Sequence, residues 1–183
     1  MTVRVSKPAF NLRSKLTELE YGTIPYDKMP VGSVIQYVTP PHGWVNSRFT
    51  TTSTSYVNTQ YHIKITPRRA DSKILIYGNF SIHNNNNSYT YAKIYNASRG
   101  RYVERDIQSG THNDGMYESA VGGDTTWWQM PIEAIDVPGS TLQQNYQVWG
   151  RTGNGNSTSY WGWSSSAPNT HNFNFISAME IAT

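Results

Sequence analysis

Across most of this chain, apolar and aromatic side chains alternate with polar ones at every second residue, in short runs broken by clusters of Gly, Pro, Asn, Asp and Ser. Tyr61-His-Ile-Lys-Ile65, Ile74-Leu-Ile-Tyr-Gly-Asn-Phe-Ser-Ile82 and Phe173-Asn-Phe-Ile-Ser-Ala-Met-Glu-Ile181 are examples. A period of two places one set of side chains on each face of a pleated strand. The residue types agree with the period: the chain holds 13 Tyr and 6 Trp but only 15% charged residues. Flat rings and β-branched side chains fit a half-buried pleated surface, whereas a helix would restrict them at nearly every position. The expected fold class is all-β.

Strand-like runs are expected at Ser33 to Val38, Phe49 to Tyr56, Gln60 to Thr66, Lys73 to Ile82, Tyr89 to Tyr95 and Arg101 to Ile107. They continue at Trp127 to Val137, Leu142 to Arg151, Tyr160 to Trp163 and Asn172 to Ile181. Turn-rich clusters separate them, among them Thr66-Pro-Arg-Arg-Ala-Asp-Ser72, His83-Asn-Asn-Asn-Asn-Ser88 and Thr152-Gly-Asn-Gly-Asn-Ser157. Many short strands at this spacing read as a jelly-roll β-sandwich over residues 31–183 rather than a sheet with crossover helices. There is no internal repeat, and the four asparagines 84–87 read as the low-complexity tip of a loop.

Residues 1–30 differ. Leu12, Leu16 and Leu19 recur at helical spacing and share one face. Asn11 suits an N-cap and Gly22 a stop. So short a helix is marginal alone, and it needs the β domain beneath it, a short helical bundle with other copies, or a larger scaffold. Pro8, Pro25, Pro30, Gly22 and Gly32 flank it as a linker would, which favours an anchoring arm with Phe10, Leu12, Leu16 and Leu19 as the residues that dock.

Composition narrows the partners. The formal net charge is +3, and apart from Arg68-Arg69 and Arg99-Gly-Arg101 the basic residues are scattered, so no nucleic-acid groove is expected. With no cysteine there is neither a disulfide framework nor a thiolate metal site, and the first residues lack the apolar run of a secretory signal. Synthesis in a cytoplasm is the expectation, with no membrane insertion. A small, polar β protein without disulfides points to oligomerisation as its further source of buried surface.

The order of the runs carries a resemblance. Gly32-Ser-Val-Ile-Gln-Tyr-Val38 opens the domain; Thr54-Ser-Tyr-Val57, Ile63-Lys-Ile-Thr-Pro67 and Ser72-Lys-Ile-Leu-Ile76 follow. Ile135-Asp-Val-Pro-Gly-Ser140 precedes Tyr146-Gln-Val-Trp149, and Phe175-Ile-Ser-Ala-Met-Glu-Ile181 closes the chain. The layout resembles the small jelly-roll domains of virion appendage proteins of tailed bacteriophages, similar to the tumour necrosis factor and complement globular modules. Val5-Ser-Lys-Pro-Ala-Phe-Asn-Leu-Arg13, with Leu16 and Leu19, resembles the leader of structural proteins from marine phages. The resemblance implies a homotrimeric virion component, a fibre or capsid decoration, with its leader bound to other virion proteins of the capsid or tail. The aromatic richness from Tyr146 to Trp163 departs from that pattern.

No catalytic constellation is evident. A nucleophile elbow, a phosphate loop and a His-Glu-x-x-His motif are all missing. The histidines His42, His62, His83, His112 and His171 lie in five separate segments with no metal-binding spacing, so neither cofactor nor metal is expected. A polysaccharide hydrolase would need two carboxylates about 5–10 Å apart. Glu133 and Asp136 fall on opposite faces of a strand, while Glu104 and Asp106 share a face but sit in a charged run with Arg101 and Arg105. Tyr160, Trp161 and Trp163, together with Trp127, Trp128 and Trp149, are the candidate surface for a host glycan, since exposed rings stack on the apolar faces of sugars; Trp161 and Trp163, which share a face, are the foremost of them. Core or inter-subunit packing is the competing reading for these rings, and is favoured about two to one.

Overall fold

The structure is a computed structural model, and it describes residues 25–40, 48–86, 88–103, 117–120, 128–162 and 174–183. Among these, a single 3-10 turn at Tyr26–Lys28 precedes eleven strands. They are β1 Val34–Val38, β2 Phe49–Thr51, β3 Val57–Ile65, β4 Lys73–Asn84, β5 Tyr89–Asn96, β6 Arg101–Tyr102, β7 Tyr117–Ala120, β8 Trp128–Asp136, β9 Gln144–Thr152, β10 Ser159–Trp161 and β11 Phe175–Ile181.

Every pairing is antiparallel. In the first sheet β4 is central: β8 runs along one edge, while β11 and then β10 share the other, with β1 outside β11 and β2 outside β10. The second sheet is ordered β3-β9-β5, with β6 and β7 both on the far edge of β5. The pairing is nested, because β1 meets β11, β3 meets β9, β4 meets β8 and β5 meets β7. Along that series, successive strands alternate between the sheets.

The alternation read from the sequence decides what is buried. Ile74, Ile76, Phe80 and Ile82 of β4 face Tyr61 and Ile63 of β3, Ile94 of β5 and Val148 of β9 in one core shared by both sheets, which makes the fold a β-sandwich. Each such side chain contributes about 1.5–3 kcal/mol when fully removed from water.

Four local readings of the sequence change. The run from Phe49 stops as a strand at Thr51, because Thr51 Oγ1 accepts from Ser53 N–H and Ser53 Oγ from Ser55 N–H; Ser and Thr side chains here replace the ladder with turns of their own. β3 begins at Val57 rather than Gln60 and carries a bulge between Asn58 and His62, where Gln60 has φ +71° and its N–H is held by Asn58 Oδ1. β7 was not expected from the sequence. The asparagine run, finally, is no filler. Asn84 ends β4 fully buried, Asn85 Oδ1 accepts from Thr158 N–H, and Asn86 donates to Asn156 O, so this run fastens its own turn to residues 154–158. The helix expected in residues 1–30 lies outside the described residues.

Candidate functional site

Two outward faces and three buried polar centres are the chemically distinctive places. On the second sheet, the odd-numbered residues of β5 and β9 point away from the core, as their burial alternation requires. Register then sets Tyr91 beside Arg151, Lys93 beside Trp149, and Tyr95 between Gln147 and Tyr102. The rings of Tyr95 and Trp149 are 4.7 Å apart, those of Tyr95 and Tyr102 5.1 Å, and those of Tyr56 and Tyr102 6.0 Å. Cations occupy the gaps: the Arg151 guanidinium carbon lies 3.9 Å from the Tyr91 ring centre and 5.2 Å from that of Tyr56, and Lys93 Nζ lies 4.6 Å from Tyr56. Tyr89, 6.3 Å from Tyr91, extends the series. The result is a continuous aromatic ribbon with embedded positive charge, held by cation–π and cross-strand contacts. Burial, reinforced by the neighbouring Tyr95, pushes the Tyr102 hydroxyl above its ordinary pKa.

The outward face of the first sheet is different in kind. An open groove of ≈ 290 Å³ there is lined by Tyr37, Leu75, Tyr77, Ser177 and Met179. Tyr37, Tyr77 and Ile135 are 56%, 41% and 44% exposed, and Val34 continues the apolar surface toward the start of β1.

Inside, polar groups gather at both ends of the sandwich. At one end Asn84 Nδ2 reaches Tyr89 O, Thr90 Oγ1, Thr152 Oγ1 and Ser159 Oγ. At the other, Asp136 and Glu180 flank Ile74 from the two neighbouring strands. Asp136 accepts from Asn96 Nδ2, Tyr146 Oη and Arg101 Nη2, each at 2.9 Å. Burial, and then the adjacent Asp136 carboxylate, drives the Tyr146 hydroxyl far above its ordinary pKa. Glu180 accepts from the backbone N–H groups of Arg68 and Arg69 and from Gln36 Nε2. These buried carboxylates accept hydrogen bonds from the chain's own backbone and side chains, so they brace the fold.

The residues singled out in the sequence disperse. The indole of Trp161 is fully buried, 6.0 Å from Phe80 and 6.5 Å from Tyr61, and it offers no ring face to a ligand. Tyr160, on the opposite side of the same strand, is half-buried, with its ring 5.5 Å from that of His83. Trp163, the arm residues Phe10, Leu12, Leu16 and Leu19, and the pair Glu104 and Asp106 all lie outside the described residues, as do His42, His112 and His171. Glu133 and Asp136 stand on opposite faces of β8, the former exposed and the latter buried. Among the described residues no three His, Cys, Asp or Glu side chains gather where they could hold a metal ion. Of the ribbon, the sequence offered Trp149 as a stacking candidate but missed Tyr56, Tyr91, Tyr95 and Tyr102. Its signal was the outward phase of Tyr89-Thr-Tyr-Ala-Lys-Ile-Tyr95, where every second residue is a tyrosine or a lysine.

No protein-family model matches the chain, and no curated protein matches it. Among solved structures, it is similar to the infectious bursal disease virus VP2 subviral particle, with a TM-score of 0.37 and 14% identity over 82% of this chain and 37% of that one. It is also similar to the Gx strain of the same virus, with a TM-score of 0.31 and 13% identity over 88% of this chain and 41% of that one. The chain thus spans less than half the length of either. Likeness at this level defines no shared fold or role.

Proposed function

We propose that the chain is a non-enzymatic structural protein of a virus particle, a jelly roll that assembles as a homotrimeric surface appendage held to the particle by residues 1–30. The nested pairing of β1 with β11, β3 with β9, β4 with β8 and β5 with β7 carries this reading, because two interleaved Greek keys generate that order. β2, β6 and β10 are then short additions at the edges. Self-association is supported by the apolar outward face around Tyr37, Tyr77 and Met179, which water would otherwise cover. Three copies, the virion setting, and fibre or capsid decoration as the form come from the resemblance to phage appendage proteins. Anchoring is tested with a chain lacking residues 1–28: it should still assemble in solution yet fail to join particles, and full occupancy on particles would contradict the role of the arm.

A second reading, a receptor- or carbohydrate-binding module of a tail fibre, is favoured by one observation, the aromatic ribbon on the opposite sheet.

A further inference from the structure

We infer that the outward face of the β3-β9-β5-β6 sheet binds an acidic polysaccharide along the ribbon formed by Tyr89, Tyr91, Tyr56, Tyr102, Tyr95 and Trp149. The surface lies on the other sheet from the apolar groove, so it does not depend on how the chain assembles. It also differs from the Tyr160-to-Trp163 segment, whose Trp161 is core.

Each component matches one part of such a ligand. Pyranose rings carry an apolar C–H face that stacks on Tyr and Trp, and here neighbouring rings lie 4.7 to 6.3 Å apart in two groups, Tyr89 with Tyr91 and Tyr56 through Tyr102 and Tyr95 to Trp149, which Arg151 bridges. Carboxylates on the sugars meet Arg151 and Lys93, which already lie among the rings, and Lys64 of β3, exposed on the same face. Among the described side chains of β3, β5, β6 and β9 there is no carboxylate. Positive charge therefore predominates, and it is complementary to a polyanion. Hydroxyl groups of the sugar find amides in Asn58 and Gln147, where Gln147 Oε1 already accepts from Asn58 Nδ2 and Trp149 Nε1. The half-buried rings brace one another in place, so little side-chain freedom is lost on binding. A nucleic acid would need a continuous cationic track along its phosphates, whereas these three cations stand on separate strands among rings and amides.

The full chain is tested by affinity electrophoresis in gels containing alginate, hyaluronate or polygalacturonate, with dextran as the neutral control and an oligothymidylate competitor. Retardation is expected in at least one polyuronide gel and not in dextran, and it should weaken as salt is added. Trp149→Ala and Tyr95→Ala should each reduce the affinity roughly tenfold, about the loss of one stacking ring. Trp149→Phe should restore most of it. Arg151→Gln should reduce binding to the polyuronide while leaving thermal stability and assembled mass unchanged. No retardation by any of the three polyuronides overturns the inference. So does undiminished binding by folded Trp149→Ala and Tyr95→Ala, and so does oligothymidylate binding that is tighter and lost in the same variants.

Discussion

The indole of Trp161 on β10 rests against the bare backbone of Gly150 on β9: a Cβ at Gly150 would stand 2.6 Å from Cζ2 and 3.1 Å from Cε2 of that ring. The two strands belong to opposite sheets, so the largest side chain of the core is accommodated by the smallest residue facing it. Gly150→Ala should therefore overpack the interior and destabilise the fold by about 1–3 kcal/mol. In a urea titration, Trp161→Phe should restore part of that loss in the double variant, because residues in contact do not add independently.

Asp136 makes a second prediction. Its carboxylate is 3% exposed and satisfies Tyr146, Asn96 and Arg101 together. Asp136→Ala leaves the buried Tyr146 phenol without its acceptor and Asn96 Nδ2 with Gln144 Oε1 alone, and should cost about 1–3 kcal/mol. Arg101 is half-exposed and contributes little of this.

Tyr146 makes the fold sensitive to alkali. Its folded pKa lies above the unfolded value of 10.0, so above that pH the native state keeps a proton that the unfolded chain has lost. Stability is complete below about pH 10 and falls as pH rises, by up to ~1.4 kcal/mol per pH unit for one such proton. Tyr146→Phe should be less stable at neutral pH, by about 1.5–3 kcal/mol for a hydrogen bond to a charged acceptor. Its stability should decline less steeply between pH 10 and 12, as followed by circular dichroism.

Asn84 tests the reinterpreted asparagine run. Asn84→Ala removes the donor that reaches Tyr89 O and the hydroxyls of Thr90, Thr152 and Ser159, leaving buried groups unpaired at a cost of about 1–3 kcal/mol. Hydrogen exchange should quicken first at residues 84–90 and 152–159.

Strand content was legible in the chain because it is local: the alternation of Ile74 to Ile82 and of Phe175 to Ile181 depends on neighbours two residues away. Pairing was less so. Glu133 and Asp136 were separable by strand face, but nothing near Asp136 or Glu180 in sequence shows that the two flank Ile74. For Trp161 the sequence left packing, the favoured reading, and a Trp-Gly-Trp ligand surface both open, because nothing near it in sequence announces Gly150. The ribbon as a whole was illegible for the same reason: Trp149 and the alternation of Tyr89 to Tyr95 stood out singly, but Tyr56, Tyr95, Tyr102 and Trp149 come from four segments that only register aligns.

Assembly is the central claim, and sedimentation equilibrium of the full chain at low micromolar concentration tests it most directly. The account predicts the mass of three chains, shifting toward one chain in Tyr77→Glu with Met179→Glu, whose new charges would be buried against a neighbouring copy. A wild-type chain that sediments as a monomer and melts in one sharp transition would contradict it.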